Sequence, residues 1–324
     1  MYMRLLLNYS KQQNTPSGIS SSKAQLVTYN EPTNKDMAIV LVYFNPCKYN
    51  RIAQNALTIK HLFDSANIPY FIGEIKHTKD RYLFKSDSNI FQYNSDSYMF
   101  YKENLITTIE KLIPPKFTKL CILDFDIFFD NADWYSIASE KLNTVSVTQP
   151  FVRTSWLNLD YTIARVKTNC VDNPKKTVID YSREHTGFVW AFDRQWFNEY
   201  SMCDTTINCL GDTIFANNVT KRPSNDVGSL VYYKYSNDTK YEKDVTYGSC
   251  NLNIYHLNHS PLNNRQYTSI HVMLFELFKK LKVDNVDTVL MRRDDNILEW
   301  RPEYIDTFNE FMMNYFIKRN DDMI

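Results

Sequence analysis

The chain has 324 residues, 44% hydrophobic and 23% charged, which is enough apolar content for a sizeable core and too much for general disorder. Its 37 basic residues balance 37 acidic ones, so net charge gives no reason to expect a nucleic-acid partner. No run approaches the roughly 20 apolar residues of a membrane span, Leu5-Leu6-Leu7 is too short for a signal-peptide core, and none of the six cysteines stands at Cys-x-x-Cys spacing; the expectation is a cytoplasmic, reducing location without a disulfide framework.

Residues 1–36 open the chain as a polar arm without a clear period, expected to be loose. Ala38 to Phe44 is a continuous apolar run ended by Asn45-Pro46, the pattern of a buried strand in a parallel sheet. Ile52, Ala56, Ile59 and Phe63 follow at helical spacing, and Pro69 to Gly73 reads as a second strand, giving the strand–helix–strand rhythm of an α/β sheet. A third short strand is expected over Asn89–Tyr93. Tyr101, Leu105, Ile109 and Leu112 mark a helix ended by Pro114-Pro115.

Lys119 to Leu123 is another buried strand and runs into Asp124-Phe125-Asp126. Thr144 to Thr148 alternates as a strand does. The polar stretch from Phe151 to Ser182 has no clear pattern and is expected to be a loop. Phe188 to Phe192 reads as a strand, Asp212–Val219 and Tyr267–Leu281 as helices, and a last helix is expected from Pro302 through Phe311 and Phe316.

The sharpest chemical signal is the Asp124/Asp126 pair. Ligands of α/β sheets bind beyond the carboxyl ends of strands, and residues two apart there can point to one side while Phe125 turns away. Two hard carboxylate oxygens suit Mg²⁺ or Mn²⁺, an ion able to neutralise a departing diphosphate. The alternative is a pair of solvated acids at a strand end. A haloacid-dehalogenase-like phosphatase fits less well, because its motif follows the first strand and carries Thr or Val where Phe128 stands.

The ordered set of Tyr43-Phe44-Asn45-Pro46 with Arg51 and Asn55, Tyr101 to Leu105, Asp124/Asp126, Gln149-Pro150-Phe151, His185 to Ala191, Gly211-Asp212, and Tyr255 to His259 with Asn264-Arg265 resembles GT-A-fold glycosyltransferases of bacteria and large DNA viruses. The order of motifs is also similar to that of β-1,4-galactosyltransferases. The resemblance spans roughly Ala38 to Tyr267. It implies an α/β, Rossmann-like GT-A nucleotide-diphospho-sugar transferase fold, with a mixed, mainly parallel central sheet flanked by helices. A single catalytic domain over 37–324 would comprise a nucleotide-sugar half at 37–150, an acceptor and metal half at 151–265, and C-terminal helices at 266–324.

The implied activity is metal-dependent transfer of a sugar from a UDP-sugar to a hydroxyl of a glycan or glycoconjugate, with Mn²⁺ or Mg²⁺ as cofactor and inversion if Asp212 is the base. Residue by residue, Phe44, Asn45, Arg51, Lys102, Asp124 and Arg265 are implied at the donor site. Asp126, Asp124 and His259 are implied as metal ligands, with His256 the competing histidine. Asp212 is implied as general base, with Asp204 as fallback, and Gly187 and Trp190 beside the acceptor. Each has a plainer reading: Arg51 as an exposed helix charge, Lys102-Glu103 as a solvated pair, Asp212 as a helix cap, and Trp190 as core. Leu210 stands where the family carries Gly or an acid before Gly211-Asp212, Thr186 where Pro is frequent, and Asp193 where a basic or small residue is usual. The rivals are a nucleotidyltransferase, disfavoured because Asn45-Pro46-Cys47-Lys48 lacks the glycine-rich loop, and a non-catalytic sugar-binding or scaffold protein.

Overall fold

The computed structural model of the protein describes residues 23–173, 177–222, 245–259, 264 and 267–322. β1 (Met37–Tyr43) is buried at every residue but Val42, as its unbroken apolar run requires. α1 (Asn50–Ser65) buries Asn55, Ala56, Ile59, Leu62 and Phe63. No side chain of its own caps this helix. Instead the Asp322 carboxylate accepts from the backbone N–H groups of Asn50 and Arg51 at 3.0 and 2.8 Å, filling the open donors of the first turn from the far end of the chain.

β2 (Tyr70–His77), β3 (Ile90–Ser95), α2 (Lys102–Glu110) and β4 (Lys119–Leu123) complete the first half. α2 is buried on all sides. It approaches β2 closely at Gly73, where an added Cβ would stand 3.2 Å from an Ile109 methyl. There follow β5 (Ile127–Phe129), α3 (Trp134–Lys141), β6 (Val147–Gln149), β7 (Arg153–Leu157), β8 (Ile163–Asn169), β9 (Glu184–His185), β10 (Val189–Asp193), α4 (Arg194–Tyr200) and α5 (Gly211–Thr220). The last elements are β11 (Tyr247–Ser249), β12 (Asn253–His256), α6 (Tyr267–Leu281), β13 (Leu290–Arg292), β14 (Leu298–Trp300) and α7 (Ile305–Arg319).

The architecture is mixed α/β with a mainly parallel central sheet, as expected. That sheet runs β11-β6-β10-β4-β1-β2-β3, and only β10 opposes its neighbours. The chain leaves β1 toward β2 and β3 on one side and returns with β4 on the other. This reversal between β1 and β4 is where such sheets open a ligand crevice beyond their carboxyl ends. A second sheet, β5-β12-β7-β8-β9, lies across the second half, and β13 with β14 forms a separate pair.

Two expectations are corrected. Residues 1–22 of the expected arm lie outside the described residues, and residues 23–36 are not a loose arm. Ala24 N–H donates to Tyr161 O and Asn30 N–H to Ala132 O, each at 3.0 Å. Tyr29 is buried against Phe63 and Trp134, while Asp36 holds Lys119 and Ser139. The segment from Phe151 to Ser182 is not a loop throughout, because β7 and β8 form an antiparallel hairpin there. β8 exposes Ala164, Arg165, Val166 and Thr168 and buries only Asn169, so its sequence shows no apolar alternation.

Candidate active site

The Asp124-Phe125-Asp126 segment leaves β4 at the β1/β4 reversal. Asp124 N–H donates to Phe188 O at 3.0 Å, and Asp126 O accepts from Leu257 N–H at 2.7 Å, so neighbouring strands fix the turn. Phe125 packs onto Phe84 and Tyr43, with ring centroids 5.6 and 6.3 Å apart. Asp124 and Asp126 both face a cavity of about 520 Å³ that Phe44, Asn45, Lys102 and Asp212 also line.

Asp126 meets two histidines from β12 and the turn after it. His259 Nε2 lies 2.9 Å and His256 Nε2 3.4 Å from Asp126 Oδ2. The three donor atoms lie within 4.8 Å of one another, close enough to share one metal ion. Both imidazoles are buried. His259 Nδ1 lies 2.9 Å from Asp321 Oδ1, and Asp321 is in turn paired with Arg319 Nε at 3.1 Å. If Nδ1–H is given to Asp321, a neutral His259 presents a lone pair at Nε2 to a carboxylate oxygen. Two lone pairs that close need a proton or a cation between them. A carboxylate plus two imidazoles is a mixed oxygen and nitrogen donor set of the kind a divalent transition ion accepts, so of the two ions that the sequence implied the residues present fit Mn²⁺. Both competing histidines belong to this group; Asp124 stands apart from it, paired elsewhere.

That other partner is Lys102, whose Nζ lies 2.7 Å from Asp124 Oδ1 and 2.8 Å from Asp212 Oδ2. Lys102 and Glu103 are both buried, which corrects the reading of a solvated pair. Burial alone would lower the Lys102 pKa, but Asp124, Asp212 and Glu103 outweigh it and hold the ammonium well above its ordinary value. Burial, against the pull of Lys102, pushes Glu103 and Asp124 each up to about 7. Glu103 also accepts from Thr206 Oγ1 at 2.8 Å.

Two glycines make this packing possible. A Cβ at Gly187 would stand 2.4 Å from Asp212 Oδ2, and one at Gly211 would stand 2.0 Å from Glu103 Oε1. The glycines of the His185-Thr186-Gly187 and Gly211-Asp212 motifs therefore admit carboxylates rather than bend the chain. Asp212 sits in the first turn of α5 and does not cap it; the N-cap is Leu210. His185 stacks on Phe188 with centroids 3.7 Å apart, and its Nδ1 accepts from Gly187 N–H at 3.0 Å, which leaves the proton on Nε2. Burial first, and then Lys167, hold this imidazole neutral, well below its ordinary pKa.

Three proposed residues are not brought together with this group. Trp190 is buried, its ring against Phe215 and its Nε1–H donating to Thr186 O at 2.8 Å; alternation along β10 turns it to the side away from the cavity. Arg51 does not line the cavity and stands in the first turn of α1, over Asp322. Asp204 is paired with Arg292 at 2.9 Å and is likewise off the cavity wall. Arg265 lies outside the described residues. Sequence reasoning missed Asp321 and Arg319, which have no motif around them, and Arg165 and Lys167, which lay in the supposed loop.

No family model matches the sequence, and no curated protein matches it. Among solved structures, the chain is similar to a mutant Drosophila β-1,4-galactosyltransferase 7 in complex with manganese, UDP-Gal and xylobiose, at 12% identity and a TM-score of 0.34. That match covers 58% of this chain and 63% of the other, so the chain spans less than two thirds of that structure. It is also similar to S. aureus TarS 1-349, at 9% identity and TM-score 0.39 over 86% of this chain and 71% of that one. GalNAc-T7 with UDP, GalNAc and Mn²⁺ matches at 10% identity and TM-score 0.42, over 79% of this chain and 56% of the other. All three TM-scores fall below 0.5, and the functional reading below rests on the geometry of the site.

Proposed function

We propose that the chain is a metal-dependent GT-A glycosyltransferase, which moves a glycosyl group from a UDP-sugar to a hydroxyl of a glycan or glycoconjugate with inversion. The observation that carries this reading is the joining of Asp126, His256 and His259 to Lys102, Asp124 and Asp212 in one cavity at the β1/β4 reversal. Asp126, His256 and His259 would hold Mn²⁺ or Mg²⁺. The ion, when bound, supplies positive charge to a leaving diphosphate.

The chain's own residues do the rest. Lys102 occupies Asp212 Oδ2, which leaves Oδ1 for the acceptor. The acceptor oxygen forms its bond to the anomeric carbon as the bond from that carbon to the diphosphate oxygen breaks. The leaving oxygen takes that electron pair, and the hydroxyl proton passes to Asp212. Phe44 and Asn45, at the end of β1, bound the donor side, and Asp124 faces it from β4; Arg265 is assigned to the diphosphate by its place in the motif order. Gly187 keeps the acceptor side open for Asp212.

UDP release from a panel of UDP-sugars tests the proposal. Release should require Mn²⁺ or Mg²⁺ and vanish in Asp126→Ala. Metal-independent release, or full activity in that variant, would defeat it.

A further inference from the structure

The cavity has a second wall of different character. β8 brings Arg165 and Lys167 to it, two residues apart and so on one face of the strand. The sheet register aligns His256 with Trp156 and Trp156 with Arg165, a row across three strands whose side chains share that face. The Trp156 ring is buried between the two ends and does not itself line the cavity. His256 lies 6.0 Å from its centroid on one side, and Arg165 Cζ and Lys167 Nζ lie 5.8 and 5.9 Å from it on the other. Two strand spacings, roughly 10 Å, thus separate the cations from the histidine end of the cavity.

These cations have no acid in ion-pair contact, although the charge of Asp180 reaches Lys167. Lys167 Nζ donates to the Tyr181 carbonyl, and no carboxylate among the described residues forms an ion pair with Lys167 or Arg165. Glu184, on the same wall, is paired with Arg222 at 2.8 Å. Asp180 holds Ser182 and faces Arg183. Burial, with Arg165 alongside, lowers Lys167 to about 8. Two neighbouring cations on a cavity wall, one of them half-buried, suit an incoming anion, which relieves their repulsion and gains charge-assisted hydrogen bonds.

We propose that Arg165 and Lys167 form a subsite for a carboxylate or phosphate carried by the acceptor, so that the protein acts on an acidic glycan. This rests on the transferase reading above. The donor diphosphate belongs at the metal-binding group and Lys102, where β1 and β4 end; the Arg165–Lys167 wall is two strands beyond it.

The test uses the full chain saturated with UDP and Mn²⁺, titrated with methyl glucuronide, methyl glucoside and glucose 6-phosphate. At least one acidic probe should bind about tenfold or more tightly than the glucoside. Arg165→Gln with Lys167→Gln should erase that preference and leave UDP affinity unchanged. Arg165→Gln alone, at an exposed position, should lower it about threefold or more, which keeps the test open should the double variant not fold. Equal affinity for acidic and neutral probes overturns the proposal, as does a preference that survives the substitutions. A loss of UDP affinity in the variants also overturns it, by assigning these cations to the donor. Failure of UDP to bind the unaltered chain is instead a failure of the transferase reading, and the comparison of probes without UDP still decides the subsite.

Discussion

Asp321→Asn tests how the end of the chain governs the metal-binding group. The Asp321 carboxylate is buried at 1% exposure, with Oδ1 2.9 Å from His259 Nδ1 and Oδ2 3.1 Å from Arg319 Nε. Asparagine keeps the shape but has one acceptor where the carboxylate has two. If its oxygen faces His259, its NH₂ faces the guanidinium; if it flips, its NH₂ faces the Nδ1–H. One buried donor is left unsatisfied either way, at a cost of about 1–3 kcal/mol. Loss of the carboxylate also frees the ring orientation of the imidazole. Substitutions of this kind weaken metal binding by roughly 10–100-fold. Calorimetric titration of Mn²⁺ into both proteins, with a thermal melt to confirm folding, reads the effect directly. A folded variant that binds Mn²⁺ as tightly as the parent refutes the role of Asp321 as a positioning residue for His259.

Further outcomes follow from the Lys102 cluster. Asp212→Asn should lower transfer by about 10²–10⁴ with UDP affinity intact, measured by product formation beside calorimetry; normal turnover removes Asp212 from the mechanism. Gly187→Ala places a methyl group 2.4 Å from Asp212 Oδ2 and should cost roughly 100-fold in turnover, with little change in UDP binding. Equal losses in both would point to general disruption of the fold. Burial raises Glu103 from 4.5 to about 7, so the folded chain holds a proton there that the unfolded chain has lost. The stability this gives is full below about 4.5 and is lost as pH rises through about 7. Glu103→Gln should therefore gain on the parent by up to about 3 kcal/mol between about pH 4.5 and 8. Urea unfolding at both ends of the range checks this, and a pH-independent difference between the two proteins contradicts it.

Much of the frame was legible in the sequence because burial on both faces writes a continuous apolar run. β1, β4 and the Tyr70–Ile72 start of β2 are such runs, and α1 shows its one buried face through Ala56, Ile59 and Phe63. The Asp124/Asp126 turn was legible for the same reason, since it ends the most buried of these strands. The β7–β8 hairpin was not, because Arg165 and Lys167 occupy the alternating positions that an apolar pattern would need. Lys102 and Glu103 looked solvated because sequence cannot show that Asp124, Asp212 and Thr206 arrive from distant segments to satisfy them. Trp190 looked available because periodicity gives alternation but not which face is the core. Asp321 lies 62 residues beyond His259, and only the return of α7 to the site brings them together.

The central claim is that this cavity binds a nucleotide diphosphate through a divalent ion. Titration of UDP into the purified chain, first with Mn²⁺ and then with EDTA in place of the metal, tests it most directly. The account predicts a one-site isotherm that EDTA abolishes and that is likewise lost in Asp126→Ala. UDP binding of equal strength with and without the metal, or no binding in either condition, would contradict it.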